Sequence, residues 1–193
     1  MKTRSHRRES RGFTLVELLV VISIIIVLAA MSFGGIQIAQ NKVKGVQTKT
    51  AATALYNAIE QYYSEYSKLP DIGMQGDEMV TEGASGQELL TILLGKEEKG
   101  SEMENPRQIP FLTAQVTQIK KKGGLFYGRN TGQPEGLYDA WGNPFYVRFD
   151  DDYDDEIRDP FKQSNVIRNK KVIVYSYGKD GKLDGGDEIT SWK

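Results

Sequence analysis

The chain contains no cysteine and a single histidine, His6, among its 193 residues. Without cysteine no disulfide can close a loop, so a small domain on the oxidising side of a membrane must rely on packing or on a metal. His6 lies within the first dozen residues, and no nucleophile–base–acid set is apparent elsewhere, which argues against a hydrolytic or acyl-transfer enzyme. Proline is absent before Pro70, so none interrupts a helix in the first third. Charge is missing from one long stretch: after Glu17 none appears until Lys42, leaving 24 consecutive uncharged residues.

What flanks that stretch gives it direction. About 20 mostly apolar residues cross a bilayer core as a helix. Before it stand Lys2, Arg4, Arg7, Arg8 and Arg11, with Glu9 as the sole acid. A basic flank of this kind holds the N-terminus in the cytoplasm and sends the remainder outward. The total charge is −1, but without residues 1–12 it becomes 20 basic against 25 acidic, or −5. That balance lacks the clustered basic surface on which nucleic-acid binding depends. Length allows the spanning helix plus one modest globular domain.

The junction Gly12-Phe13-Thr14-Leu15-Val16-Glu17 admits three readings. A secretory signal has a similar layout, with Ala30-Met31-Ser32 as its cleavage site, but leaves an acid in the apolar core. An uncleaved anchor lets Glu17 snorkel to the interface, where a carboxylate near a helix N-terminus is favourable. The third reading rests on a resemblance: glycine, phenylalanine, threonine, leucine and glutamate at this spacing resemble the N-terminus of prepilin-like proteins, the type IV pilins and the pseudopilins of type II secretion. The resemblance implies cleavage between Gly12 and Phe13 by a prepilin peptidase, N-methylation of Phe13, and an assembly role for Glu17. Many members kink the helix with a proline where this chain has Gly34-Gly35.

Beyond the bilayer the helix is expected to continue. Over residues 42–66, Ala51, Leu55, Ala58, Ile59, Tyr62 and Tyr66 recur at three- and four-residue intervals, one apolar stripe ended by Pro70. Phe13 to Tyr66 is 54 residues, about 80 Å as helix. Asp71–Gly83 reads as a loop. Ser85 and Glu88 have capping-box spacing before Leu89, Leu90, Leu93 and Leu94, with Gly95 as the stop. Lys96–Asn105 reads as charged and solvated, Val116–Ile119 as either helix or strand, and Lys120-Lys121-Lys122 as a solvated turn. Phe145–Phe149 and Val172–Tyr177 read as strands.

Two further segments resemble parts of the major pseudopilins of type II secretion. Asp139-Ala140-Trp141-Gly142-Asn143-Pro144 is similar to an aspartate-proline-tryptophan-glycine-asparagine-proline turn, with Ala140 in place of the first proline. Its physics is structural: a carboxylate for turn amides, a glycine for positive φ, a proline to fix the exit. The second is the C-terminal run through Ser176, Gly178, Asp180-Gly181, Gly185-Gly186, Asp187-Glu188, Ile189 and Trp192, which is similar to a calcium loop. Its carboxylate candidates are Asp180, Asp184, Asp187 and Glu188, and the resemblance adds the main-chain carbonyls of Tyr177 and Lys182. It is not an EF-hand, because Ser191 stands twelfth from Asp180. A weaker alternative cluster is Asp150, Asp152 and Asp154, which share a face if extended.

Together these readings predict an α+β, pilin-like fold: a long N-terminal helix, membrane-spanning in its first half, packed on a small antiparallel sheet. The expected parts are a removed leader (1–12), a transmembrane or filament-core helix (13–41) and a periplasmic head (42–193). Within the head lie the amphipathic helix (42–66), a variable region (71–135) and the sheet with its C-terminal loop (138–193). The expected function is structural, a pseudopilin polymerising into a periplasmic filament of a type II secretion system. The alternative is a type IV pilus subunit for adhesion or motility, or, from another class, a membrane-anchored periplasmic binding protein or enzyme. Expected partners are further copies of itself, the prepilin peptidase, the inner-membrane secretion platform with its minor pseudopilins, and lipid, but not nucleic acid. The expected location is the bacterial inner membrane, and calcium is the expected cofactor. Intact mass of the protein recovered from its native membrane should show a chain starting at Phe13 with one added methyl, and a bulky residue at Gly12 should block maturation. A mature terminus at Phe33 would establish the secretory-signal reading instead.

Overall fold

The structure, a computed structural model, describes residues 13–73, 77–100, 103–129, 131–162, 164–183 and 186–192, without the side chains of residues 31–35. It comprises two compact units, Met1–Lys42 and Val43–Lys193. Helix α1 runs Leu15–Tyr66, as expected of a proline-free stretch. It ends at Ser67, whose φ of 54° is left-handed and whose amide donates to the Tyr63 carbonyl at 2.7 Å. Among the described residues no helix is long and apolar enough to cross a membrane. Past residues 31–35, Ile36 and Ile38 are exposed as well, and the uncharged run in the sequence continues through Asn41.

From Val43 onward α1 is the spine of the head. Ala52, Leu55, Ala58, Ile59 and Tyr62 are fully buried, and Ala51 and Tyr66 flank them half-buried. The predicted stripe is therefore the core-facing side, offset by one residue at its start. Burying a leucine or isoleucine of this kind contributes about 1.5–3 kcal/mol. The core partners are Leu89, Leu90 and Leu93, together with the inward residues Val147, Phe149, Val172 and Val174 of the sheet.

Nine strands are assigned among the described residues: β1 (Glu78–Val80), β2 (Val116–Thr117), β3 (Gly124–Tyr127), β4 (Pro134–Tyr138), β5 (Tyr146–Phe149), β6 (Glu156–Arg158), β7 (Val166–Arg168), β8 (Val172–Ser176) and β9 (Ile189–Thr190). A four-stranded antiparallel sheet has the order β1-β5-β8-β9. Beside it lie β2-β3-β4, in which only the short β2–β3 pair is parallel, and the hairpin β6-β7. The long helix on an antiparallel sheet is the predicted α+β, pilin-like architecture. Thr81 joins the two larger sheets: its hydroxyl donates to the Leu137 carbonyl at 2.6 Å and accepts the Phe145 amide at 2.9 Å.

Three local expectations give way to tertiary contacts. Asp71–Gly83 is not wholly loop, because β1 pairs Met79 with Val147 and places Glu78 against the Arg148 guanidinium at 2.6 Å. A three-residue edge strand with one buried side chain leaves no alternation to read. Helix α2 (Gly83–Leu93) begins before Ser85, with Glu82 in the N-cap position, and no side chain caps it. A bridge from Glu82 to Gly136 holds that start. Tight packing at Gly86 leaves no room for a Cβ, which would lie 2.6 Å from the Val80 carbonyl. Nor is Lys96–Asn105 solvated throughout. Asn105 is fully buried, donates to the carbonyls of Ile92 and Ile109 at 2.8 Å each, and accepts the Tyr66 hydroxyl at 2.8 Å.

Asn105→Ala orphans several buried groups at once, each costing about 1–3 kcal/mol. It should lower the melting temperature of the detergent-solubilised chain by about 5 °C or more. Melting within about 1 °C of the parent, far less than such a loss implies, would show that Asn105 is not a packing node.

Candidate functional site

The start of α1 has a definite geometry beyond the motif itself. Thr14 is the N-cap and Glu17 the third helical residue. The Glu17 amide donates to the Thr14 hydroxyl at 3.2 Å, and Glu17 Oε2 accepts the Thr14 amide at 2.9 Å and its hydroxyl at 2.7 Å. This is a reciprocal capping box, satisfying donors that helix termini leave unpaired. Sequence reasoning missed it, although the signal is there as threonine three residues before glutamate, ahead of an apolar run. Phe13 is 75% exposed beside this box. Gly12 and the basic leader lie outside the described residues.

Beyond the box, every valine, leucine and isoleucine from Leu15 to Leu28 is exposed. A helix apolar on all sides is one that is buried elsewhere, in lipid or among other helices. Exposed apolar surface of this extent marks an interaction site.

In the head, one buried carboxylate organises the turn after β4. Asp139 Oδ1 accepts the amides of Trp141, Gly142 and Asn143 at 2.8, 2.7 and 2.8 Å. Its Oδ2 accepts the Ser176 hydroxyl at 2.6 Å and Asn143 Nδ2 at 3.2 Å. Asn143 Nδ2 also donates to the Gly178 carbonyl at 2.7 Å, so turn and C-terminal loop are joined. Gly142 has a φ of 101° and passes so close to Lys121 that a Cβ would meet its carbonyl at 2.4 Å. The Ala140 amide donates to Thr48 on α1 at 3.1 Å. The turn is thus structural, as its composition indicates.

The acidic candidates divide. In the C-terminal loop Asp180 accepts the Lys182 amide at 2.9 Å, and Asp187 Oδ2 accepts the amides of Lys179 and Asp180 at 2.5 and 3.2 Å. Glu188 accepts the Gly186 amide at 3.1 Å. Each of these three carboxylates thus turns to local backbone, although Asp187 Oδ1 is buried without a hydrogen-bond partner. Lys182 is exposed, the Tyr177 ring lies tilted against Tyr146 with ring centres 4.2 Å apart, and Asp184 lies outside the described residues. Asp150, Asp152 and Asp154 do converge, with one carboxylate oxygen from each within 4.8 Å of the others. They do so in a turn rather than an extended strand, since Tyr153 and Asp155 have φ of 58° and 64°. Lys171 reaches Asp155 at 2.7 Å and Asp150 at 2.9 Å, and these contacts hold its ammonium above the ordinary lysine range.

Comparison with known proteins bears on the helix start. The family described as the prokaryotic N-terminal methylation motif matches residues 7–33. The chain carries that motif. Over 71 residues it is 35% identical to the type IV major pilin protein PilA of Myxococcus xanthus (strain DK1622), covering 37% of this chain and 32% of that protein. The chain thus spans about a third of the length of the curated relative it matches. No solved structure matches it significantly.

Asp139→Ala removes five accepted hydrogen bonds and should cost about 3 kcal/mol. The C-terminal segment after Ser176 should then become the first site of proteolysis. Unchanged protection of that segment would mean that the turn does not anchor it.

Proposed function

We propose that this chain is a structural subunit of a type IV pilus-type filament, anchored by α1 in the inner membrane before assembly. The observation that carries this reading is the exposed apolar first half of α1, opened by a capped helix start inside a methylation motif. Removal of the leader by the prepilin peptidase would free the Phe13 amine. The apolar helices of successive copies would then cover one another in a filament core, through head-to-tail contacts that do not close into a ring.

The pilus alternative has more support than the secretion pseudopilus, because the relative that matches is named a type IV major pilin. In a chain without cysteine, the Asp139–Asn143–Gly178 network anchors the C-terminal region with hydrogen bonds. Among the described residues no feature supports a catalytic role.

In the filament Glu17 is proposed to pair with the Phe13 amine of an adjoining copy, a charge-assisted contact in a low-dielectric setting. Cap and pairing can be separated experimentally. Glutamine also completes a capping box, so Glu17→Gln preserves the helix start while removing the charge. Both Glu17→Gln and Glu17→Ala should leave the head folded and the chain in the membrane, with filaments absent or sparse by electron microscopy. Normal filaments from Glu17→Gln would reduce Glu17 to a helix cap.

A further inference from the structure

The loop from β5 into β6 holds six acids in seven residues, Asp150-Asp151-Asp152-Tyr153-Asp154-Asp155-Glu156. Their ion pairs among the described residues are with Lys171, shared by Asp150 and Asp155, and with Arg168, which meets Glu156 at 2.5 Å. Two cations therefore face six carboxylates. An acidic cluster alone is commonly just a solvated loop, but Asp150 is different. It is 1% exposed, and although its Oδ2 accepts Lys171 Nζ and the Asp155 amide, its Oδ1 is buried with no hydrogen-bond partner. A buried carboxylate oxygen left without a partner is uncommon and calls for an ion or a water. The exposed carboxylates of Asp152 and Asp154 converge on this same group.

Calcium takes six to eight oxygen ligands at about 2.3–2.6 Å in flexible geometry, whereas magnesium demands a near-ideal octahedron at shorter distances. The three carboxylate oxygens lie within 4.8 Å of one another. Asp150, Asp152 and Asp154 also occupy the first, third and fifth places of a calcium loop, and the chain turns at the sixth, Asp155, with φ of 64°. The twelfth residue is Phe161 rather than a glutamate, so solvent must complete the shell.

We propose that the β5–β6 loop binds one calcium ion through the carboxylates of Asp150, Asp152 and Asp154. The ion supplies the missing partner of Asp150 and offsets the repulsion that Lys171 and Arg168 leave. It also fastens the loop to the entry of β8, because the Asp150 amide donates to the Lys171 carbonyl at 3.0 Å. With three carboxylates and an open shell, the affinity belongs to the weak extracellular class, with Kd on the order of 10⁻⁴–10⁻³ M. This site is separate from the C-terminal loop and does not depend on the filament reading.

The test is calcium titration calorimetry on the full mature chain in detergent micelles, with magnesium as the competing ion. Asp152→Asn and Asp154→Asn alter exposed side chains, and their unchanged melting in chelator would confirm intact folding. The double variant should weaken the calcium site about tenfold or more, Asp180→Asn should leave it unaltered, and magnesium should bind about tenfold more weakly. No saturable calcium binding up to roughly 5 mM, above the Kd range for such sites, would overturn the proposal. So would unchanged affinity in the double variant, or loss of binding in Asp180→Asn with retention in the double variant, which would place the ion in the C-terminal loop.

Discussion

The structure depends on one helix that serves two surroundings. Up to Lys42 the chain forms a unit whose described apolar side chains find no cover within it; from Val43 the same helix supplies the central side of a globular core. Exposed leucine, isoleucine and valine in such density cannot persist in water, so the first unit is completed by lipid or by other chains. That requirement gives the methylation motif its physical sense. The Thr14–Glu17 box starts the helix at the head of that apolar run with its terminal donors partly satisfied.

In the head the comparable task falls to polar groups. No disulfide is possible, yet the C-terminal third must be held to the spine. Asp139 does so from inside, collecting three turn amides on one oxygen and binding Ser176 and Asn143 with the other. Thr48 ties the same turn to α1, Thr81 ties one sheet to the other, and Asn105 ties the α2 exit to Tyr66. Buried groups so fully paired define one arrangement strongly, since any alternative would strand them. Tyr175 shows the same economy: burial and its hydrogen bond to Glu78 push its hydroxyl well above the ordinary tyrosine range.

Features that rest on period and composition are legible in the sequence itself. The apolar stripe from Leu55 to Tyr62 packs as its three- and four-residue spacing requires, and strands β5 and β8 fall where alternation and β-branched residues place them. The Asp139 turn is readable because each residue in it has a local job. What escapes reading depends on partners far away along the chain. Strand β1 exists because β5 lies beside it, and α2 starts just after Glu82, which bridges to Gly136. Asn105 sits among charged neighbours and so reads as solvated, though its partners lie up to 39 residues away. Resemblance favours the C-terminal acidic loop over the β5–β6 loop. No local pattern reveals that Asp150 is buried with one oxygen unpaired beside two converging carboxylates, while in the C-terminal loop Asp180 turns to a nearby amide.

The central claim is that the apolar half of α1 is covered by copies of the same chain. The absence of native cysteine makes a direct measurement clean, since an introduced pair reports only its own contact. One cysteine placed near the start of the apolar run and another further along it, in the mature protein within its native membrane, should oxidise into a ladder of multimers for some spacings. The same pairs in a precursor that retains its leader should give no ladder. If every pair along the run leaves only monomers in the processed protein, the helix is covered by lipid alone, and the filament account is contradicted.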